Sequence, residues 1–215
     1  EMQRSLVGSE MCIRDRLMKA YYAKQDAEKL SGKGDTSQKL TLMKTSADSL
    51  KKSADALNDS SLWGKKKIKK KDEKTGKEIE VEDYDWDKIT KAVKSFVEDY
   101  NDVVKEAGES NTKDVLRNAS WMTGMTDKNS NMLAKIGITI GKGNKLELDE
   151  DALKQADISS LKTVFTGYNS FVSKISQKAT GISNAANRAS ATYTNNGTYS
   201  KTDSLLTSSK IDEEV

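Results

Sequence analysis

A chain of 215 residues with 35% hydrophobic and 32% charged residues is long enough for one helical body but poor in material for a thick core. It has no His and a single Cys, which removes the commonest general base and the commonest transition-metal ligand. Its net charge of +3 sets up no global field for nucleic acid or a membrane surface. No Pro interrupts it, as suits long helices, and no apolar run approaches the roughly 20 residues that span a bilayer.

The run Leu6 to Arg16, LVGSEMCIRDR, resembles one reading frame of a transposase-based sequencing-library adapter. Residues 1–16 are therefore expected to be non-native and are set aside from fold reasoning. Cys12 goes with them, so neither a disulfide nor a cysteine nucleophile is expected. Leu17 to Leu30 reads as a helix, and Ser31 to Asp35, SGKGD, as a loop. That loop lacks the G-x-x-x-x-G-K-[ST] pattern of a phosphate loop. Thr36 or Ser37 can cap the next helix, whose apolar positions Leu40, Met43, Ala47, Leu50, Ala54 and Leu57 alternate in steps of three and four. This is a seam for packing on a partner helix.

Ser60 to Asp87 changes character. Six Lys within Lys65 to Lys71 are followed by acids at Asp72, Glu73, Glu78, Glu80, Glu82, Asp83, Asp85 and Asp87. With a turn at Lys74 to Lys77, the stretch predicts an exposed β-hairpin over about 65–82 whose basic arm faces its acidic arm. A nucleic-acid patch would interleave aromatics and keep its positive field; here the acids nearly cancel it. Asp83, Asp85 and Asp87 open like a calcium loop, but Lys88 and Lys94 stand where Gly and Glu are needed. Asp85 or Asp87 is expected to cap a helix instead.

That helix carries Ile89, Val93, Phe96, Tyr100, Val103 and Ala107 in steps of four and three and ends at Gly108. Asn111 or Thr112 opens a further segment, expected to be interrupted at Gly124, with Met122, Met125 and Met132 as flexible core filling. Gly137 closes it. Ile138 and Ile140, then Leu146 and Leu148, predict a second small hairpin over 138–148, with GKGN supplying the positive-φ turn. Asp149 is expected to cap a short helix. Ser159 or Ser160 is expected to cap one long helix with the stripe Leu161, Phe165, Tyr168, Val172, Ile175, Ala179, Ile182, Ala186 and Ala189, which seats against Ile89 to Ala107. From about Thr192 the chain is Ser/Thr/Asn-rich and reads as a flexible tail. The fold expected is mainly α, an elongated antiparallel helical bundle or coiled coil with two small β-hairpins. The domain plan is a single helical domain over 17–191 with a Lys-rich hairpin at 63–83, followed by the tail 192–215.

Three ordered segments resemble one family. SFVEDYNDVV, LAKIGITIGKGNKLELDEDALKQA and LKTVFTG are similar to blocks of the flagellar filament-capping protein, also called flagellar hook-associated protein 2. The residues that carry the resemblance are Phe96, Tyr100, Asn101, Leu133, Gly137, Ile138, Leu146, Leu148, Asp149, Glu150, Leu153 and Phe165. The chain departs from the family pattern in lacking the larger mixed α/β middle region and the long C-terminal helix, and in having GKGN where an acidic-Gly turn is usual. The resemblance implies a non-enzymatic structural or assembly protein of the bacterial flagellum or cell surface, extracellular, acting through helix seams. Its implied partners are itself, flagellin or hook-associated proteins. An adhesin-like secreted binding module that uses the charged hairpin is the alternative. No catalytic residue, cofactor, metal, small-molecule ligand or nucleic acid is expected. Asp149, Glu150 and Asp151 are the candidate acids, but a helix N-terminus favours carboxylates without any catalytic role.

Overall fold

The three-and-four stripe before residue 58 becomes helix α1 (Ser37–Asn58), and all six of its positions, Leu40 to Leu57, are buried. The structure, a computed structural model, describes residues 34–71 and 78–192. The expected adapter segment 1–16, the helix Leu17 to Leu30, the turn Lys74 to Lys77 and the tail after Thr192 lie outside the described residues. After α1, Ser60–Trp63 forms one 3-10 turn, and strands β1 (Lys65–Lys71) and β2 (Glu78–Tyr84) pair antiparallel, Lys65 opposite Tyr84 through Lys71 opposite Glu78. Next come α2 (Trp86–Gly108), α3 (Lys113–Lys128), α4 (Ser130–Ala134), β3 (Ile138–Ile140), β4 (Leu146–Leu148), α5 (Glu150–Gln155), α6 (Ile158–Phe165) and α7 (Phe171–Thr192). Among the described residues the chain is mainly helical, with two antiparallel two-stranded sheets.

The four long helices form a ring of neighbours. α1 packs on α7 and α2, and α3 packs on α7 and α2. Cross-helix contacts give the directions. Ser176 Oγ donates to Asp55 at 2.7 Å and Ser183 Oγ to Asp48 at 2.7 Å, so α7 runs antiparallel to α1. These two hydrogen bonds repeat at a seven-residue interval on both helices, along a seam filled by Ala47, Leu50, Ala54, Ala179, Ile182 and Ala186. Arg188 meets Asp114 at 3.6 Å, and Lys178 lies 5.2 Å over the Trp121 ring, so α7 is also antiparallel to α3. Tyr100 of α2 donates to Thr126 of α3, and the short 109–112 connection returns the chain. The arrangement is up, down, up, down, the pattern that short connections between antiparallel neighbours produce.

Several expectations are corrected here. The long helix from Leu161 to Ala189 is two helices, α6 and α7. Thr166 is extended and Gly167 has φ +99°, and no regular helix passes through a left-handed residue. Tyr168, placed in the buried stripe, is 84% exposed on that break. The N-cap of α6 is Asp157, whose carboxylate accepts from Ser160 N, rather than Ser159 or Ser160. Gly124 does not interrupt α3, because a single Gly costs a helix only about 1 kcal/mol. α7 seats on α1 and α3 rather than along α2. Met122 is buried as core filling and Met125 half-buried, but Met132 is exposed. Thr36, Asp85 and Asp149 cap their helices as expected.

At the end of the bundle away from the small hairpin, Asp35 ties the start of α1 to the connection between α2 and α3. Its side chain is 1% exposed. It accepts from Ser110 Oγ at 2.7 Å, Asn111 N at 2.9 Å and Thr112 Oγ1 at 2.7 Å, with Lys39 Nζ at 3.6 Å. Thr112 is the N-cap of α3 but makes no capping bond of its own, so the anchor at that terminus is a carboxylate from 77 residues upstream. Burial pushes the Asp35 carboxyl up. The hydrogen bonds from Ser110, Thr112 and Asn111 and the charge of Lys39 outweigh it and hold the group below the usual carboxylate range. A carboxyl lowered by folding contributes stability that is present above its unfolded pKa and is lost as pH falls through its folded value. Replacing Asp35 with Asn should therefore cost about 2 kcal/mol near neutral pH. The cost should shrink toward zero as pH drops below about 4, as measured by urea denaturation of both proteins across pH.

Candidate functional site

The sequence motif residues converge on one end of the bundle, where α3 stops and α7 begins. Gly137 makes the first turn possible. Its φ is +80°, and a Cβ there would lie 2.7 Å from Asp149 O and 2.9 Å from Leu153 N. Removing the side chain lets the start of α5 lie directly on this backbone, and Asp149 N donates to Gly137 O at 2.8 Å. The GKGN turn closes the hairpin with Gly143 at φ +71° and Asn144 at +62°. β3 and β4 then pair Ile138 with Leu148 and Ile140 with Leu146. Ile138 and Leu146 are buried, and Ile140 and Leu148 are half-buried, so alternation turns one face of this ribbon onto the bundle. Asp149 Oδ1 accepts from Asp151 N and Ala152 N, both at 3.0 Å, and starts α5. Leu153 returns to the core.

Asn101 of α2 fastens the ribbon to the bundle. Its Nδ2 donates to Leu146 O at 2.9 Å, and its Oδ1 accepts from Leu146 N at 2.7 Å. One side-chain amide thus satisfies both main-chain groups of a β4 residue, as a neighbouring strand would. The opposed donor and acceptor also assign which end of the amide is nitrogen. Leu133 of α4 is fully buried beneath the ribbon's entry. Glu150 meets Lys94 of α2 at 3.4 Å, but both are about half-exposed, so this ion pair adds little.

Beside the clamp lies an aromatic cluster. Phe165, the last residue of α6, stacks on Trp63 with centroids 5.5 Å apart and planes within 10°. It meets the edge of Phe96 at 6.5 Å. Phe96 also contacts Tyr100 and Phe171, each at 6.3 Å. Trp63 Nε1 donates to Leu57 O at 2.8 Å, so its one polar atom is satisfied in the core. Tyr100 OH donates to Thr126 Oγ1 at 2.9 Å, and its burial pushes the phenol's pKa up. The loop after Phe165 is held by Asn58 Oδ1, which accepts from Gly167 N at 2.9 Å.

The structure places the motif residues as Phe96, Tyr100 and Asn101 on α2, Leu133 on α4, Gly137, Ile138, Leu146 and Leu148 in the ribbon, Asp149, Glu150 and Leu153 at α5, and Phe165 on α6, and links Asn101 to Leu146, Phe96 to Phe165, and Gly137 to Asp149 directly. Trp63, Phe171 and Asp35 were not singled out by sequence. Trp63 sits in the six-residue stretch between α1 and the Lys run, where an isolated Trp is a signal for a buried anchor. The acids Asp149 and Asp151 lie within a helix start, and the Asp149 carboxylate is occupied by that helix's own N–H groups. Asp99, half-buried between α1 and α2, is raised by burial and by Asp102 and Glu98 despite a bond from Ser53. Among the described residues no group of three or more His, Cys, Asp or Glu is placed to hold a metal ion, and no helix is long and apolar enough to cross a membrane.

A family model described as the flagellar hook-associated protein 2 C-terminus matches residues 110–213. The matched part takes in α3, α4, the ribbon, α5, α6 and α7, and begins after Phe96, Tyr100 and Asn101. No curated protein and no solved structure matches the chain.

The two turn glycines separate fit from conformation. Gly137→Ala meets backbone at 2.7 and 2.9 Å, whereas at Gly143 a Cβ would have nothing within 4 Å and only its φ of +71° is unfavourable. Gly143→Ala should cost about 1 kcal/mol. Gly137→Ala should cost about 3 kcal/mol or more, because the start of α5 must move away. Urea midpoints of the two variants check the order.

Proposed function

With residues 110–213 belonging to the flagellar hook-associated protein 2 C-terminal family, we propose that the chain is a structural, cap-like component of the bacterial flagellum, located outside the cell. It acts through self-association and through contacts with flagellin or hook-associated proteins, not through catalysis. The observation that carries this reading is the family match itself, extended by the joint. The joint's twelve motif residues make hydrogen bonds and packing contacts within the chain, which is what a part that transmits rigid contacts needs. The Asn101 clamp and the Phe165 cluster fix the ribbon, α5 and α6 as one body with the bundle. The same reading assigns the twelve motif residues a positioning role, and the helical bundle with its hairpin the role of a single domain.

The charged hairpin supports a second reading, a surface-binding module of adhesin type. Lys65, Lys66 and Lys67 are exposed at its root.

The test uses the full purified chain with preformed flagellin filaments. Analytical ultracentrifugation should show concentration-dependent association of the chain alone. Negative-stain microscopy with a labelled chain should place it at filament ends. A chain that stays monomeric and leaves the filaments undecorated contradicts the reading. Binding to cell surfaces in the absence of filaments would favour the adhesin reading instead.

A further inference from the structure

Helix α7 carries three charged residues, Lys174, Lys178 and Arg188, and all are cations. Its neighbour α3 sets Arg117 and Trp121 one turn apart on the same face. The two helices run antiparallel, with Lys178 Nζ 5.2 Å over the Trp121 ring and Arg188 3.6 Å from Asp114. Asp114 also meets Arg117 at 3.0 Å, so one carboxylate serves two guanidiniums. Between these contacts the helices come close at Gly181, where a Cβ would stand 2.7 Å from Asn118 Oδ1. The strip that results is basic in balance, and Trp121 on it is 61% exposed. A lone exposed apolar side chain is ordinary. A Trp beside Arg and Lys is different, because Trp and Arg are the side chains on which interface energy concentrates.

The sequence that follows α7, outside the described residues, holds a segment that matches this strip. Residues 193–210 are rich in Ser, Thr, Asn and Gly, and Ile211 to Val215, IDEEV, then sets three acids between two aliphatic side chains. We infer that Ile211 to Val215 docks back on the α3–α7 face of its own chain. Its acids meet Arg117, Lys174 and Lys178, and its aliphatic side chains cover the Trp121 ring. The segment is then an intramolecular cover, and any other acidic partner must displace it to reach this face. The occupant is this one segment, selected by charge complementarity and by reach. The inference goes beyond the flagellar reading and does not depend on it.

The reach is set by the end of α7. From Thr192 back to Lys178 the helical path is about 21 Å. A coil of the length of residues 193–210 spans about 23 Å r.m.s.. Where the span of a linker matches the distance between the sites it joins, the effective concentration is in the millimolar range. Single exposed ion pairs are weak, so the tether is what lets three acids and one Trp contact hold the segment in place. The same segment on another molecule lacks that advantage. Because exposed charges supply much of the attraction, salt must weaken the docking.

The test is paramagnetic relaxation in the full chain. Cys12→Ser removes the one native thiol, and Ser209→Cys places a nitroxide label just before Ile211. The readout is the indole N–H signal of Trp121, identified by its absence in Trp121→Phe. At low salt this signal should lose most of its intensity, and it should recover at about 0.5 M salt. Asp212→Asn, Glu213→Gln and Glu214→Gln together should restore it at low salt as well. A mixture of nitroxide-labelled chain with isotope-enriched, unlabelled chain should leave the signal intact. An undiminished Trp121 signal in the labelled chain, or a loss that survives neutralising the three acids, overturns the inference. Loss of the signal in the mixture means contact between copies and overturns it too. None of these outcomes moves the flagellar reading, which filament decoration decides.

Discussion

Two hydrogen bonds from one side chain hold the small hairpin to the bundle. A three-residue ribbon cannot be stable alone, and β3 and β4 have three residues each. Asn101 takes the place of the missing third strand by closing both main-chain groups of Leu146. With that edge satisfied, Ile138 and Leu146 can stay buried and α5 can start against Gly137. The direction in which the chain enters α6 and α7 follows from where that start is placed. A half-buried Asn that makes both of its bonds is thus the constraint on which the matched half of the chain depends.

The rest of the bundle distributes its anchoring between two ends. At the joint end the aromatic cluster of Phe165, Trp63, Phe96, Tyr100 and Phe171 joins the 3-10 turn after α1 to α2, α6 and α7 by packing. At the other end a single buried carboxylate, Asp35, joins the start of α1 to the start of α3 by hydrogen bonds. Between them the α1–α7 seam is lined by Ala, so the helices approach closely. Its polar edge is the pair of Ser-to-Asp bonds one heptad apart. A chain with a low apolar content can fold this way because thin seams need little side-chain volume, and the polar locks supply direction and register.

Much of this was legible in the residues, because it is written in local periodicity. The stripes of α1 and α2 and the caps Thr36, Asp85 and Asp149 all follow from spacing or from turn chemistry within a few residues. So do both hairpins and the positive-φ turn at GKGN. The family resemblance sets the twelve motif residues in one order, and the structure adds the contacts that spacing does not show, such as Asn101 with Leu146 and Phe96 with Phe165. What was not legible depends on distant partners. The heptad stripe runs through Leu161 to Ala189 without a fault, yet Gly167 breaks it, because the apolar spacing happens to bridge a turn whose exit is fixed by Asn58, 109 residues upstream. Trp63 could be seen as an isolated aromatic, but not its stacking on Phe165. Asp35 sat in a Gly-rich loop with no local sign that it anchors α3.

The central claim is that the joint and the bundle unfold as one unit, with Asn101 as the fastening between them. Native-state hydrogen exchange measures this most directly. The account predicts that the amides of Ile138, Leu146 and Leu153 exchange with the same free energy and the same denaturant dependence as those of Leu50 and Ile182 in the bundle. If the joint amides exchange through a small, denaturant-independent opening while the bundle amides remain protected, the ribbon is a loose attachment and the account is contradicted.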